Sequence, residues 1–372
     1  MQNVDVRRAE DEDKELWDNY VTSHQNTVAY HLFAWKQSVE EAYGFDCPYF
    51  VAEKQGKVCG ILPLVHVAAP LGRGQLVSLP FCDVGGIPAD SPGISESLFS
   101  HACNYAAVNR VSKIEIRHFP NIVFSDTDRN RKKDHKSSSK APGRDISGNG
   151  KVRMLLDLPE SSDALLVSFK SKLRSQVKKP AREGLFVRIG GRELLPDFYH
   201  VFAENMRELG SPVHSKKWLD SILRNYGSQA KCGMVYLPDQ RPAAGGIILC
   251  HNRIVSIPWA SSMPHLNHYS PNMLLYWSFL EYAADNGYQY FDFGRSTPGE
   301  GTYKFKAQWG AKPQQLFWER WKINGKTVSE DTMGAVSNAN GKSRAVAEKM
   351  IRKTPLPVAT FLGSRIRKYI SL

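Results

Sequence analysis

Two stretches of the chain repeat the same order of apolar and polar positions. In the first half, the strand-like runs KVCGILPLV and LVSLPFCDVGG precede a helical pattern, SESLFSHACNYAAVNR, and a further strand-like run, SKIEIRH. In the second half, RPAAGGIILC and RIVSIPWASS precede the helical pattern NMLLYWSFLEYAADNG and the run YQYFDFGRS. Strands are expected where apolar side chains alternate or run on, since pleated side chains repeat every second residue. The weak duplication predicts two similar units of mixed α/β type.

The helical patterns carry apolar stripes at three- and four-residue spacing. In the second half the stripe predicts one buried face, made of Met273, Tyr276, Trp277, Leu280, Ala283 and Ala284. Pro271 and Asn272 mark the start of this helix, and Gly287 marks its end because glycine accepts a left-handed conformation. The first-half stripe consists of Leu98, Ala102, Tyr105 and Val108.

The length of the chain favours two domains, because 372 residues exceed the usual size of one core, and 42% hydrophobic residues can fill both. The patterns divide the chain into a first lobe at 1–124, a polar loop at 125–150, a second lobe at 151–327 and a polar linker with a basic amphipathic segment at 328–372. The stretch 125–150 has too few apolar residues to offset the entropy of ordering, so we expect a flexible loop. Its basic run RNRKKDHK could instead tether nucleic acid.

The charge and the cysteines restrict the class of protein. A net charge of +12 favours anionic partners such as phosphates, nucleic acid or an acidic membrane face. Charges occupy the N-terminal positions where a secretory signal is apolar, and no window approaches the roughly 18 uncharged apolar residues of a membrane span, so we expect a cytoplasmic protein. Six isolated cysteines without a CxxC pair predict reduced, buried thiols. No metal site is expected, since the pair His265 and His268 has no third ligand nearby.

The C-terminal segment TPLPVATFLGSRIRKYISL predicts a short amphipathic helix. Its apolar face would collect Val358, Phe361, Leu362, Ile366, Tyr369 and Ile370, with Arg365, Arg367 and Lys368 beside or opposite it. Such a helix can lie in an anionic membrane interface and give peripheral contact with the inner membrane. A terminal helix that docks on the second lobe would show the same stripe, and this is the preferred interpretation.

Candidate chemistry concentrates in FDFGRSTPGEGTYKFKAQWGAKP, which runs from Phe291 to Pro313. We expect a strand whose end delivers Arg295 to a glycine-rich loop. Asp292 could accept a proton or orient an incoming amine, and Arg295 could bind a phosphate or carboxylate through two hydrogen bonds. The alternative is that the two side chains pair with each other and only fix the loop.

A second cationic element is SFKSKLRSQVKKPAREG. Leu166, Phe169, Leu173 and Val177 would form the apolar stripe of one helix. Lys170, Arg174 and Lys178 recur every four residues on another face and could bind the phosphates of a polyanion. An ordinary solvated helix face would have the same pattern.

Taken together, these segments resemble the FemAB-type transferases, and most closely the FemAB-related proteins found with exosortase and exopolysaccharide systems. The resemblance covers most of the chain, from FAWKQSVEEAYGFDCPYFVAE through VSLPFCDVGG, FYHVFAENMRELGSPVHS and IPWASS to FDFGRSTPGEGTYKFKAQWGAKP. It implies an α/β fold of two tandem GNAT-like lobes, each with a mixed, mostly antiparallel sheet and flanking helices. It also implies transfer of an acyl or aminoacyl group from acyl-CoA or aminoacyl-tRNA to an anionic cell-envelope or exopolysaccharide precursor, free or lipid-linked. No permanently bound cofactor is implied.

The resemblance also assigns roles to residues. FKAQWG is similar to the FK-x-x-F-G pattern of the peptidoglycan-bridge enzymes, which makes Lys306 the residue that stabilises charge at the transfer site. Trp309 replaces the phenylalanine, and Trp259 of IPWASS joins it as an expected substrate-binding residue. Lys304 shares a face with Lys306 only if the segment is a strand. Two alternative functions remain: a non-catalytic factor that binds a glycan or lipid precursor, and an acetyl-CoA-dependent N-acetyltransferase.

Overall fold

The computed structural model describes residues 4–68, 73–118, 150–324, 327–330 and 341–371. The polar loop expected at 125–150 therefore lies outside the described residues, apart from its last position. The linker and tail expected at 328–372 are described in part.

The first half of the chain supplies six strands and three α-helices within its described residues. The strands are β1 Asp5–Arg8, β2 Phe50–Lys54, β3 Lys57–Leu62, β4 Val65–Val67, β5 Gln75–Val77 and β6 Lys113–His118. The helices are α1 Lys14–Ser23, α2 Phe33–Tyr43 and α3 Pro92–Val108.

The remainder of the described chain alternates helices with longer strands. The strands are β7 Val152–Asp157, β8 Phe186–Gly190, β9 Ala230–Tyr236, β10 Pro242–His251, β11 Ile254–Ser262, β12 Tyr290–Ser296, β13 Lys312–Gln315, β14 Phe317–Asn324 and β15 Thr327–Glu330. The helices are α4 Ser162–Ser168, α5 Ser171–Arg182, α6 Leu195–Leu209, α7 Lys216–Tyr226, α8 Pro271–Asp285, α9 Gly301–Ala307, α10 Gly341–Lys353 and α11 Leu356–Ile366.

The strands form three sheets that are mostly antiparallel. The first lobe has a three-stranded sheet in the order β1-β2-β3 and a five-stranded sheet in the order β15-β14-β6-β5-β4. The second lobe is built on a seven-stranded sheet in the order β13-β7-β12-β11-β10-β9-β8. The expected mixed, mostly antiparallel sheets with flanking helices are confirmed.

The duplication seen in the sequence corresponds to one repeated crossover. β5 lies parallel to β6 and is joined to it through α3, while β11 lies parallel to β12 and is joined to it through α8. Parallel neighbours require such a crossover because a tight hairpin reverses the chain. In the second lobe the parallel pairing ends at Ser256 and Asp292, although both strands continue, so the ends of β11 and β12 separate.

Each crossover strand takes its next neighbour from a distant part of the chain. β12 pairs with β7, and β6 pairs with β14, where Trp321 lies opposite Ile114. After β13 the chain therefore returns to the sheet of the first lobe. By strand pairing, the second lobe ends near Gln315 rather than at residue 327.

The two lobes share a continuous apolar core. α2 of the first lobe packs on α7 of the second, where the Trp35 and Trp218 rings meet edge to face with centroids 5.2 Å apart. The Ser221 hydroxyl donates to the Ser38 carbonyl across the same contact at 3.3 Å. Buried apolar surface of this kind fixes the position of one lobe against the other.

The predicted helices are largely confirmed. α8 begins at Pro271, and Gly287 beyond its end has φ +77°, as expected for a helix stop. In α3, Leu98 and Ala102 are buried, but Val108 is wrong as a core residue because it is the last helical residue and is 81% exposed. All six cysteines are free thiols, as expected. None of the helices in the described ranges is long and apolar enough to cross a membrane.

Candidate active site at the junction of the lobes

Strand β12 carries a bulge near its C-terminal end. The register between β12 and β7 shifts between Asp292 and Arg295, and Gly294 has φ +71°. Only glycine adopts this backbone conformation without a steric cost. The Gly294 N–H donates to Asp292 Oδ1 at 2.9 Å, which fixes the bulge. The strand continues to Ser296, so Arg295 lies within it and not in the following loop.

Asp292 belongs to a buried ion pair. Its Oδ2 lies 2.9 Å from the Nε of Arg153 on β7, and both side chains are almost fully buried. The Ser256 hydroxyl also donates to Asp292 Oδ2 at 3.4 Å. A buried carboxylate of this kind is stabilised by its partner and supports the bulge.

Arg295 pairs with the first lobe instead of with Asp292. Its backbone N–H donates to Asp83 Oδ2 at 3.0 Å, and its Nε lies 3.4 Å from Asp83 Oδ1. The guanidinium also lies over the Trp318 ring, 5.5 Å from the centroid, while the Trp318 indole N–H donates to the Asp83 carbonyl at 3.1 Å. Arg295 and Asp83 remain partly exposed, so this pair can meet an anion or an amine.

Lys306 reaches the same bulge from helix α9. The side chain is buried, and its Nζ donates to the carbonyls of Gly294 at 3.2 Å and Arg295 at 2.8 Å. Desolvation lowers the pKa of Lys306 to about 8, against the opposing effect of Asp83 and Asp292, and the charge of Arg295 lowers it further. The ammonium is therefore held at a fixed point beside the lobe junction.

Asp83 belongs to the loop between β5 and α3, and two other residues of this loop have strained backbone conformations. Leu79 and Phe81 have φ +62° and +69°, which is uncommon for residues other than glycine. The buried Arg117 holds the loop, because its Nη1 donates to the carbonyls of Leu79 at 3.1 Å and Cys82 at 2.6 Å. Strain of this kind collects at functional sites, where the surrounding structure imposes it.

Arg153 and Asp83 are the partners that sequence reasoning missed. Arg153 is a single arginine in the apolar run VRMLLD, and such a residue signals a buried carboxylate partner. Asp83 lies in FCDVGG, which contributed to the family resemblance without a role for the carboxylate. Neither partner lies near its counterpart in sequence.

The cationic helix predicted from Leu166 to Val177 is two helices. Lys170 has extended backbone, with ψ 149°, and precedes α5 as its N-cap, so the predicted single helix is interrupted at this residue. The Arg174 Nη1 donates to the carbonyl of Phe169 at 2.8 Å and to that of Val167 at 3.2 Å. Arg174 thus closes the C-terminal end of α4, while Lys178 remains exposed.

Lys170 and Trp309 instead line a separate cavity of about 750 Å³. Its walls come from the end of β7, from α4 and α5, and from the turn that follows α9. The Trp309 ring is almost fully buried and meets Phe169 edge to face at 5.6 Å. Lys304 is exposed on α9, and since the segment is helical it does not share a face with Lys306.

Trp259 lies in the apolar core between the lobes. Its ring stacks on Trp35 with centroids 6.3 Å apart and meets Trp218 edge to face at 6.0 Å. The structure therefore brings Lys306 and Arg295 together at the bulge, where Asp292 accepts from the Gly294 N–H, and places the other expected residues elsewhere.

The position of this site can be compared with known domains. Residues 167–307 match the family described as the acetyltransferase (GNAT) domain. The second lobe is GNAT-like. The match begins in α4 and ends at the last residue of α9, so it includes Asp292, Arg295 and Lys306, whereas Asp83 lies outside it.

Several solved structures share the fold of most of the chain. FemX aligns with a TM-score of 0.62 at 16% identity, covering 84% of this chain and 96% of FemX. The C-terminal domain (DUF2156) of an Agrobacterium fabrum protein assigned as a lysylphosphatidylglycerol synthetase aligns with a TM-score of 0.51 at 13% identity, covering 84% of this chain and 92% of that domain. L-PGS from Bacillus licheniformis aligns with a TM-score of 0.50 at 13% identity, covering 94% of this chain and 99% of that one.

These structural alignments show similarity of fold, and they confirm the expected arrangement of two tandem GNAT-like lobes. A comparison with curated protein sequences gives no match.

Proposed function

We propose that this protein transfers an acyl or aminoacyl group from an activated donor to an amine or hydroxyl of a cell-envelope or exopolysaccharide precursor. The observation that carries the proposal is the buried Lys306 ammonium, anchored to the β12 bulge next to the partly exposed Arg295–Asp83 pair. The GNAT match over 167–307 and the FemX-like fold support a transferase.

The residues at the junction have complementary roles in such a reaction. The acceptor nitrogen or oxygen attacks the carbonyl carbon of the donor, and the bond from that carbon to the donor's sulfur or oxygen breaks. Lys306 stabilises the oxyanion that develops, because a fixed charge in a buried site needs little reorganisation. Asp83 orients the acceptor and takes its proton, which then passes to the leaving group, and Arg295 binds a phosphate or carboxylate of one substrate.

The donor is either acyl-CoA or aminoacyl-tRNA. An acetyl-CoA-dependent N-acetyltransferase is the second candidate, and the match to the acetyltransferase (GNAT) domain favours it. With either donor the acceptor is an anionic precursor, which fits the net charge of +12. A binding factor without catalysis would have no need for the buried ammonium.

The experiment is a matrix of donors and acceptors. Purified protein is incubated with labelled acetyl-CoA, longer acyl-CoA or aminoacyl-tRNA, together with water-soluble and lipid-linked amino-sugar acceptors. The expected outcome is transfer of label with at least one donor, slowed about a hundredfold or more in Lys306→Met and retained in Lys304→Met. Precursor binding without transfer from any donor would instead establish the binding-factor alternative.

A further inference from the structure

A second cavity lies outside the lobe junction, among the C-terminal helices. This groove has a volume of about 700 Å³ and runs between the end of α6, helix α10 and helix α11. Its lining is mainly apolar and includes Met206, Pro212, Met350, Ile351, Leu362 and Ile366. A cavity of this size is within the range that binds small organic ligands.

Helix α11 docks on the second lobe without covering its own apolar side chains. Gly363 is the residue of α11 that is buried, and a Cβ added there would lie 2.8 Å from the Val213 nitrogen. The self-docking predicted from the sequence therefore occurs, but through a glycine backbone. Large apolar side chains of both C-terminal helices stay in solvent: Phe361 of α11 is 56% exposed, and Met350 of α10 is 66% exposed. Eight of the twelve exposed large hydrophobic residues in the described ranges lie between Val346 and Ile370.

Positive charge surrounds these apolar side chains. Residues 345–371 contain six basic residues and one acidic residue, Glu348, which also lines the groove. An exposed apolar patch of this extent marks an interaction surface, and its basic rim favours an anionic partner. A bilayer that contains anionic lipid has both properties, with an apolar interior beneath negative headgroups.

Arg367 connects the groove with the candidate active site. It lines the groove, and its guanidinium lies 6.0 Å from the Phe81 ring centroid. Among the described residues it has no carboxylate partner, and its Nη1 donates to the Ile370 carbonyl. Four residues further on, the Ser371 carbonyl accepts from the Phe81 N–H at 2.7 Å. Phe81 belongs to the same loop as Asp83, which holds Arg295.

We propose that the groove between α6, α10 and α11 holds the hydrocarbon chain of an anionic lipid, with the lipid's phosphate or carboxylate at Arg367. The protein then contacts a membrane through the exposed side chains of α10 and α11. If the protein has the proposed function, on which this step rests, its acceptor is lipid-linked, because a headgroup at Arg367 lies beside the loop that carries Asp83.

Chain binding is tested with cis-parinaric acid, a fluorescent fatty acid that has both a hydrocarbon chain and a carboxylate. Ala359→Phe fills part of the groove and should weaken binding about tenfold, since it displaces roughly two methylene groups. Met350→Glu is a second variant at an exposed position and should also weaken binding. Val108→Glu, on α3, is the matched control and should bind as the wild type does. Equal affinity of all four proteins would overturn the proposal.

Headgroup and membrane contact are tested by co-sedimentation with vesicles. Vesicles of equal parts phosphatidylcholine and phosphatidylglycerol should bind the protein, and pure phosphatidylcholine should bind it less. Arg367→Gln should weaken binding about fivefold, as expected for one basic residue at a membrane surface. Arg241→Gln, in the turn before β10, is the control. If light scattering reveals a dimer that Phe361→Asp dissociates while vesicle binding stays unchanged, a second copy covers the patch and the proposal fails.

Activity separates this proposal from the proposed function. If groove variants lose parinarate and vesicle binding but no donor supports transfer, the lipid site stands and the transferase falls. If transfer occurs equally well to lipid-linked and water-soluble acceptors, and Ala359→Phe leaves both unchanged, the transferase stands and the lipid site falls.

Discussion

Lys306 combines burial with charge, and its contacts explain how a folded protein tolerates this. Two backbone carbonyls of the β12 bulge receive its N–H groups, so the ammonium exchanges water for fixed dipoles. The family resemblance identified this lysine from FKAQWG. The carbonyls that receive it could not be predicted, because they exist only once the bulge at Gly294 has formed.

Replacing Lys306 tests its role in the transition state. Lys306→Met should reduce kcat/KM by two or three decades, since loss of one donor to an oxyanion typically costs about 2.7 to 4 kcal/mol. Lys304→Met removes an exposed lysine two residues away and should leave the rate unchanged. Steady-state kinetics with circular dichroism as a folding check measures this. A Lys306→Met rate within a few-fold of wild type would refute the role.

Stability and activity should depend on pH in opposite directions. The folded-state pKa of Lys306, about 8, lies below its ordinary value of 10.5, so between these values the unfolded chain binds more protons than the folded chain. The free energy of unfolding contributed by this group therefore rises with pH across that window. Activity should fall above a pH of about 8, because the ammonium is lost.

Two measurements check these signs. The pH profile of kcat should have its descending limb near 8 in the wild type, and Lys306→Arg should move that limb upward, because arginine stays protonated. In urea unfolding, the free energy of unfolding of the wild type minus that of Lys306→Met should increase with rising pH across this window. Parallel unfolding curves across the window would contradict the shifted pKa.

At the scale of elements, strand β12 and the segment from α4 to α5 differ from the patterns that predicted them. β12 bulges at Gly294 and continues past Arg295. The cationic segment breaks at Lys170, and Arg174 fastens the end of α4 by hydrogen bonds to two carbonyls. A hydrophobic stripe does not distinguish one helix from two helices that share a face, because Phe169 is buried in either case.

Gly294→Ala should damage the bulge without a steric clash. A Cβ there would lie 3.6 Å from Asp83 Oδ2, which is ordinary contact, but φ +71° costs an L-residue about 1 to 2 kcal/mol. Activity should fall as well, because the Gly294 and Arg295 carbonyls position Lys306. Gly93→Ala in α3, where a Cβ meets nothing within 4 Å, is the control and should be neutral or slightly stabilising. Chemical denaturation and kinetics of both variants measure these effects. A Gly294→Ala variant as stable as the wild type would show that the left-handed conformation at this position does not require glycine.

At the scale of the whole molecule, the loop between β5 and α3 that carries Asp83 is held from three sides. Arg117 of β6 holds Leu79 and Cys82, Arg295 of the second lobe holds Asp83, and the C-terminal Ser371 carbonyl accepts from Phe81. The Arg117 Nη1 also donates to that Ser371 carbonyl at 3.3 Å. The tail therefore stabilises the conformation of a loop nearly 300 positions earlier in the sequence.

Shortening the tail should loosen this loop. Removing residues 370–372 deletes the Ser371 carbonyl, so the Phe81 amide should exchange with solvent about tenfold faster or more, and kcat should fall. Removing Leu372 alone keeps an oxygen at the Ser371 position and should preserve both. Hydrogen exchange read by mass spectrometry on peptides from the loop and from α8 reports the effect. Unchanged protection of the loop in the longer deletion would exclude a role for the tail.

Local pattern alone determined the repeated strands, the crossover helices and the free thiols, because periodicity and composition are properties of neighbouring residues. The strand-to-loop pattern suggested Arg295 as a site residue, and the family resemblance suggested Lys306. Only the tertiary structure decided that Asp292 pairs with Arg153, that Arg295 pairs with Asp83, and that α11 docks through Gly363 with its apolar face outward. Those outcomes depend on which distant segments meet, and burial of a charge or a glycine contact becomes favourable only after they have met.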